Sequence, residues 1–233
     1  MSSTEERPDL PPLAPARAAA RRAALGLTTG QVAWALGAYL GRPVHPDAVA
    51  AWESGAHTPD TPTVRALAAA LWCEPADLVG DATTLAQCRA VAGLGTGEVA
   101  ALVGLTRAQW ERVEAHDRWQ GDAARSAALL RALRPPPACW VAVCGKTGHL
   151  RVVLREAVTG WWPPHVPAVA AIVPMAPEVI STALERLHLA YQRLDQQAGA
   201  SPEAAALAEQ RSTTFLDHVD GYLWEALRLP PPA

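Results

Sequence analysis

A stretch of sixteen residues that occurs twice is the feature that most constrains how this chain folds. Residues 22–37 and 89–104 are identical at nine of sixteen positions, including Gly-Leu, Thr-Gly and Val-Ala pairs and a closing glycine. Two copies of one local pattern indicate two copies of one small folding unit. We therefore predict a first unit over residues 16–80 and a second, degenerate unit over residues 81–134.

The first unit carries the sequence signals of two consecutive helices. Thr28 and Gln31 form the S/T-x-x-Q pattern of a capping box, which satisfies unpaired backbone N–H groups at a helix start. The stretch His45-Pro46-Asp47 begins the next helix, because proline is tolerated at a first helical position, and Gly55 ends it. Apolar residues recur every four residues, the spacing of one helix face. They are Val32, Leu36 and Leu40.

In this order the residues resemble the lambda-repressor/Cro group, the bacterial XRE-type helix-turn-helix regulators. The chain has Gly-Leu-Thr at 26–28, Val-Ala at 32–33, Trp-Glu-x-Gly at 52–55, proline at 59 and Leu-Ala-x-Ala-Leu at 67–71. The resemblance implies a five-helix DNA-binding domain. Residues 38–43 depart from the family pattern, because they insert six residues between two helices as a lengthened helix or a loop.

The resemblance also implies an ion pair in each unit, between an arginine near the end of the first helix and the glutamate after the recognition helix. The matching residues are Arg22 with Glu53 and Arg89 with Glu114. Desolvation offsets the attraction in such a pair, but removal of one partner costs ~3–5 kcal/mol. We interpret these four residues as structural.

The recognition helix of this family approaches base edges from its first turn and again one turn later. In the second unit Arg107, Ala108 and Arg112 hold these positions, with Gln109 nearby; arginine suits guanine and glutamine suits adenine. The first unit has Pro46, Asp47 and Ala51 there, which donate no strong hydrogen bond. Either the second unit reads bases while the first contacts backbone, or the first has become a packing module. The predicted DNA-binding residues are Thr29, Gln31, His45, Asp47, Thr96, Thr106, Arg107, Gln109, Arg112 and Arg118.

Charge and composition bound the other classes of function. The net charge is −3, so no strong basic field attracts nucleic acid over the whole chain. The histidines are scattered and no nucleophile-elbow sequence occurs, so we predict no enzyme, no cofactor and no metal site. The four cysteines lack metal-ligand spacing and indicate reduced thiols. No apolar run approaches a membrane span and no signal peptide precedes the domain, so we expect a cytoplasmic protein.

The remaining segments differ from the two repeated units in composition and apolar pattern. Residues 1–15 are rich in proline and polar residues, which predicts a disordered tail. In residues 138–233, the β-rich runs 139–144 and 150–154 around Gly145-Lys146-Thr147-Gly148 predict a β-hairpin. Apolar stripes after Pro177 and after Ser201-Pro202 predict two amphipathic helices. We expect a small α+β region that dimerises or senses an effector, with a domain that only closes its own core as the alternative.

Together these patterns predict a mainly α protein with tandem lambda-repressor-like units and a C-terminal α+β region. The expected function is a sequence-specific DNA-binding transcriptional regulator that acts as a homodimer on double-stranded DNA. The alternative is a protein-interaction module that binds another regulator instead of DNA.

Overall fold

The structure, a computed structural model, describes residues 10–196 and 202–229 of the chain. These residues form fifteen α-helices and one short 3-10 helix, with a single isolated β-bridge. The prediction of a mainly α protein is thereby confirmed. The helices belong to two compact units: the residues up to Asp117 with Gly121–Pro136, and the segment Arg118–Gln120 with the residues from Pro137 onwards.

Five helices open the first compact unit. Proline stands in the first turn of four of them, where its missing N–H group removes no hydrogen bond within the helix. At the start of the second helix the predicted capping box is present, with Thr28 N donating to Gln31 Oε1 over 2.8 Å. The helices are α1 (Pro15–Ala24), α2 (Thr29–Leu40), α3 (Pro46–Glu53), α4 (Thr61–Ala70) and α5 (Pro75–Leu78).

The segment before α1 is ordered from Leu10 onwards, which corrects part of the predicted disordered tail. Leu10 and Leu13 are buried in the same core as Leu78 and Val79. Leu13 also pairs with Val79 in the isolated antiparallel bridge. Prolines favour extended backbone, so those that suggested disorder suit a short extended segment whose leucines reach the core. Residues 1–9 of the predicted tail lie outside the described residues.

Four further helices belong to the same compact unit. They are α6 (Leu85–Val91), α7 (Thr96–Leu102), α8 (Arg107–His116) and α9 (Ala123–Leu133). Asp117 ends α8 with a left-handed φ of 48°, and its Oδ1 accepts a hydrogen bond from Leu85 N over 2.7 Å. This contact joins the end of α8 to the start of α6. Ala90 and Val91 of α6 pack against the core of the first five helices.

The six inserted residues of the first unit mainly lengthen α2. Gly104, just past the end of α7, has the left-handed φ of +65° that glycine adopts readily. The aligned Gly37 stays helical, and Gly41 takes that φ of +65° instead. Four of the inserted residues therefore add about one turn to α2. The remaining two lengthen the loop before α3.

Residues 139–143 and 147–154 are helical, so the predicted β-hairpin is wrong. The two runs lie in α10 (Pro137–Val143) and α11 (Thr147–Thr159), which meet at Gly145 with a φ of +66°. A β-branched residue disfavours a helix by only a few tenths of a kcal/mol, whereas its burial contributes about 1.5–3 kcal/mol. Burial with a helical period therefore outweighs strand propensity. The buried residues of α11 are Leu150, Val153, Leu154, Ala157 and Val158.

The rest of the C-terminal unit is also helical where it is described. A 3-10 turn (Pro163–His165) precedes α12 (Val166–Ala170), α13 (Pro177–Gln196), α14 (Pro202–Asp217) and α15 (Val219–Arg228). The helix predicted after Pro177 is present as α13, whereas the second predicted helix is divided between α14 and α15. The cap expected at Ser201 lies outside the described residues.

Two arginines one turn apart on α11 contact both sides of that division. Arg155 donates to Asp217 at the end of α14, and Arg151 donates to Asp220 at the start of α15, each over 2.8 Å. The hydrogen bond that Arg151 donates to Asp220 raises the pKa of Arg151. These pairs hold α14 and α15 to α11.

The apolar stripes of the C-terminal helices are buried within this unit. Ile180, Leu184 and Leu187 of α13 are at most 2 % exposed. They share one core with Phe215 and Leu223 of α14 and α15. The stripes therefore pack on each other. Among the helices in the described ranges, none has both the length and the apolarity needed to cross a membrane.

Candidate nucleic-acid interface

Each of the two repeated units contains one arginine–glutamate pair that joins its first helix, α1 or α6, to the end of its third helix, α3 or α8. In the first unit Arg22 Nε and Nη2 donate to the two carboxylate oxygens of Glu53, both over 2.7 Å. In the second, Arg89 donates to Glu114 over 2.6 and 3.4 Å. Both pairs implied by the resemblance are thus present in the structure.

The same arginines also hold the Gly-Leu turn that precedes each motif. Arg22 Nη1 donates to Leu27 O over 2.8 Å, and Arg89 Nη1 donates to Leu94 O over 3.1 Å. The hydrogen bond to Glu53 raises the pKa of Arg22. All four side chains of the two pairs are only 10–21 % exposed. They therefore position α3 and α8 and present little surface to a ligand.

Trp110 gives the degenerate unit a further contact that the sequence analysis missed. Val49 and Trp52 of α3 correspond to Trp110 and Val113 of α8, so tryptophan and valine exchange places one turn apart. Trp110 is fully buried, and its Nε1 donates to Glu114 Oε1 over 2.9 Å. Residues three apart share a helix face, so a comparison of faces, not single positions, would have found the exchange.

The first turn of α8 leaves two backbone N–H groups without a partner in the helix. Thr106 Oγ1 accepts from Gln109 N over 3.2 Å, while Thr106 N donates to Gln109 Oε1 over 2.8 Å. The N–H groups of Arg107 and Ala108 remain at the positive end of the helix dipole, where an anion binds favourably. Because the cap occupies Gln109 Oε1, bidentate contact with adenine would require this cap to open.

Arg107 and Arg112 are exposed on the outer face of α8. Arg107 Nε donates to Glu111 Oε1 over 2.8 Å, with the two side chains 71 % and 50 % exposed. An exposed pair at this spacing contributes only about 0.3–0.5 kcal/mol, so Arg107 can readily exchange Glu111 for another anion. Arg112 Nε makes only a long contact of 3.4 Å with Ala108 O. Both guanidinium groups are therefore available to a ligand.

The first turn of α3 has the opposite character. His45 Nδ1 accepts from Asp47 N over 3.3 Å and lies 3.2 Å from Asp47 Oδ2. The side chain of Asp47 is 90 % exposed, and the eight residues of α3 include no Lys or Arg. An exposed carboxylate at this point repels phosphate. The helices α3 and α8 thus differ in the charge of their exposed surface as well as in sequence.

The other predicted DNA-binding residues lie at helix starts or outside this unit. Thr29 begins α2, and Gln31 Oε1 is occupied by its cap. Thr96 begins α7 and is half-buried. In place of a side-chain cap there, Gly95 N donates to Glu98 Oε2 over 2.6 Å. Arg118 belongs to the other compact unit, so it is not grouped with α8.

No disulfide joins the four cysteines, and burial raises the pKa of the Cys73 and Cys144 thiols. In the described ranges, no cluster of three His, Cys, Asp or Glu side chains has the geometry to hold a metal ion.

Comparison of the chain with models of known protein families, with curated proteins and with solved structures finds no match.

Proposed function

We propose that this chain is a sequence-specific DNA-binding transcriptional regulator of the XRE type, acting as a dimer in the cytoplasm of a bacterium. The observation that carries the proposal is the repeated link of Arg22 to Glu53 and of Arg89 to Glu114. In each unit the link fixes the end of the recognition helix. The first turn of α8, by contrast, is mostly exposed. A helix fixed at its end with an accessible start is suited to insertion into a DNA groove.

In this proposal α8 is the helix that enters the major groove. Arg107 lies in the first turn of α8 and Arg112 lies one turn after Ala108, so both guanidinium groups extend from the first two turns of the helix. A bidentate contact of arginine with guanine O6 and N7 is worth about 1–3 kcal/mol of discrimination between bases. The N–H groups of Arg107 and Ala108 would bind a phosphate and set the register of the helix on the duplex.

The direct test is a selection of duplexes from a random DNA library by the full chain at two salt concentrations. We expect enrichment of a two-fold repeated motif. For the selected duplex, Arg107→Ala combined with Arg112→Ala should weaken binding at least about tenfold, since two charged contacts are removed. Loss of phosphate contacts should also reduce the dependence of affinity on salt.

The matched control for this test is Arg131→Ala. Arg131 is an exposed arginine of α9 in the same compact unit, and its removal changes the net charge without changing α8. Binding by this variant should stay within about twofold of the wild type. If the double variant binds as tightly as this control, α8 is not the reading helix.

A second candidate function is a protein-interaction module that binds another regulator. The exposed carboxylate of Asp47 and the 82 % exposure of Trp34 favour it, because both are unsuited to a DNA-reading surface. The library selection separates the two functions. A protein-interaction module would enrich no motif and would bind duplex DNA only weakly at low salt.

The C-terminal unit has an apolar core of its own. Its apolar stripes were expected to dimerise or to sense an effector, but they pack against each other in one core. This packing favours the alternative, a domain that closes its own core. A contact between two copies of the chain requires a different surface.

A further inference from the structure

Glu111 places a negative charge on the outer face of α8. It lies one turn after Arg107 and next to Arg112 in the chain, and all three side chains are exposed. Trp110, on the opposite face, is fully buried. DNA phosphates are negatively charged, so a carboxylate on a helix that enters the groove lowers the affinity for the backbone. Glu111 therefore suits a DNA-reading helix only if a nearby donor binds the carboxylate.

Arg107 is the donor that binds Glu111. Its Nε donates to Glu111 Oε1 over 2.8 Å. Among the described residues, Nη1 and Nη2 of Arg107 have no hydrogen-bond partner. A guanidinium group is planar and rigid, so a carboxylate at Nε leaves the two terminal NH2 groups as a pair of parallel donors. The O6 and N7 atoms of guanine accept such a pair.

The pair of Arg107 and Glu111 distinguishes guanine from phosphate. Arg107 can bind guanine through its terminal NH2 groups while Nε stays on Glu111. Contact with a phosphate brings that anion close to the Glu111 carboxylate, and the two like charges repel. The exclusion of water from the groove strengthens the pair and the repulsion alike, because charges interact more strongly at low dielectric. A base edge that accepts two hydrogen bonds is therefore preferred to the DNA backbone.

Arg112 has different surroundings. Its Nε makes a contact of 3.4 Å with Ala108 O, a neutral backbone acceptor. No carboxylate of the described residues pairs with its guanidinium group. The charge of Arg112 is therefore not compensated locally, which suits contact with a phosphate. The two arginines of α8 thus differ in the ligand that their surroundings favour, which is guanine for Arg107 and phosphate for Arg112.

We propose that Glu111 is a positioning residue of the DNA-reading surface, which holds Arg107 for contact with a guanine and disfavours its contact with phosphate. This inference rests on the proposed function of α8 and adds a base preference to it: one position of the bound sequence is a G·C pair, read by Arg107. Glu111 also lowers the affinity for DNA of other sequence. The carboxylate therefore increases specificity while it decreases overall affinity.

The test compares the full chain of the wild type with Glu111→Ala on two duplexes. The first is the duplex selected from the random library, and in the second the G·C pair that Arg107 contacts is replaced by A·T. That pair is the position at which a library selection with Arg107→Ala no longer enriches guanine. The wild type should bind the first duplex at least about tenfold more tightly, as is typical of one mismatched base pair. Glu111→Ala should reduce this ratio to about threefold or less, because Arg107 is no longer held for guanine.

A second measurement is the affinity for a third duplex, of unrelated sequence. Glu111→Ala should raise this affinity about two- to fivefold and steepen its dependence on salt, since the phosphates near α8 no longer face a repulsive charge. Arg107 and Glu111 are both exposed, so the variant should unfold at nearly the same urea concentration as the wild type. A role of Glu111 in folding alone would leave the base preference unchanged.

The matched control is Asp81→Ala. Asp81 lies in the same compact unit but outside α8, and it forms an exposed pair with Arg17 at 3.6 Å, so its removal changes the net charge equally. This variant should alter the affinity for all three duplexes by the same factor. Glu111→Gln is a second control, because glutamine keeps an oxygen acceptor for Arg107 but carries no charge. It should retain more of the guanine preference than Glu111→Ala and bind the unrelated duplex as tightly.

The outcomes separate the role of Glu111 from the function on which it rests. If the wild type enriches no motif, α8 does not read DNA and both proposals fail. If the wild type enriches a motif that depends on Arg107, but Glu111→Ala keeps the full guanine preference, only the role of Glu111 is overturned. A motif without a guanine that depends on Arg107 overturns that role as well, as does an equal loss of base preference in Asp81→Ala.

Discussion

At the scale of single residues, Arg22 and Arg89 make equivalent hydrogen bonds in the two units, but the glutamate that binds Arg89 has an additional donor. Each arginine donates to a glutamate and to the carbonyl of the leucine five residues after it in the chain. In the second unit, the glutamate also accepts from the fully buried Trp110. Glu114 therefore satisfies two donors that water reaches poorly.

This difference predicts that Glu114→Ala destabilises the protein more than Glu53→Ala. Each change should cost about 3–5 kcal/mol by leaving a mostly buried arginine without its anion. Glu114→Ala should cost a further ~1–3 kcal/mol, because the buried indole N–H also loses its acceptor. The measurement is the free energy of unfolding in urea. Glu111→Ala, which removes only an exposed pair, is the control and should cost less than about 0.5 kcal/mol.

Equal costs for the two glutamate variants would contradict this account of Trp110. Glu114→Gln offers a further check, since glutamine retains an acceptor for the indole but carries no charge. It should recover the part of the stability that belongs to Trp110 and not the part that belongs to Arg89.

At the scale of elements, the aligned glycines Gly37 and Gly104 differ in backbone conformation. Gly37 lies inside α2, and a Cβ added there would meet Arg42 O at an ordinary contact of 3.5 Å. Gly104 has a φ of +65°, which strains any residue with a Cβ. The glycine at this position of the repeat therefore lies inside a helix in the first unit and just past the end of a helix in the second.

The prediction is that Gly37→Ala stabilises the chain and Gly104→Ala destabilises it, each by about 0.5–1 kcal/mol. Alanine suits a helix interior better than glycine does, whereas a left-handed helix end favours glycine. Urea unfolding at low protein concentration measures both changes without a contribution from self-association. A stabilising effect of Gly104→Ala would contradict the interpretation that the insertion lengthens α2.

Local sequence signals were sufficient to predict several helix starts. The Thr28–Gln31 and Thr106–Gln109 boxes and the proline at the start of α3 predicted helix starts, because capping depends on neighbouring residues only. The run 139–144 was predicted as a strand from its valines and cysteines, yet it is α10. Local propensity differs little between helix and strand for such residues, and the surrounding helices decide between them.

At the scale of the whole molecule, the two compact units have separate apolar cores. Leu36 belongs to the core of the first unit and Leu154 to that of the C-terminal unit, and both are fully buried. Removal of side-chain volume from either core leaves a cavity that costs about 2–5 kcal/mol.

We therefore predict that Leu154→Ala lowers the stability of the C-terminal unit and leaves that of the first unit nearly unchanged, with the reverse for Leu36→Ala. Hydrogen exchange resolved by residue measures both units in one sample, because local protection reports the stability of each cooperative region. Equal loss of protection in both units after either change would show that they unfold as one.

The sequence by itself determined the repeat, the helix starts of the first unit and the partners of Arg22 and Arg89. Those features depend on short-range patterns, or on a family resemblance that specifies the partners. Only the tertiary structure decided which apolar residues are covered: Trp110 of α8 is buried and Trp34 of α2 is not, although both are tryptophans in helices of the repeated units. Burial depends on which elements pack together, and residues distant in the chain supply those elements. For the same reason the C-terminal stripes are an internal core, whereas Trp34 of α2 is exposed.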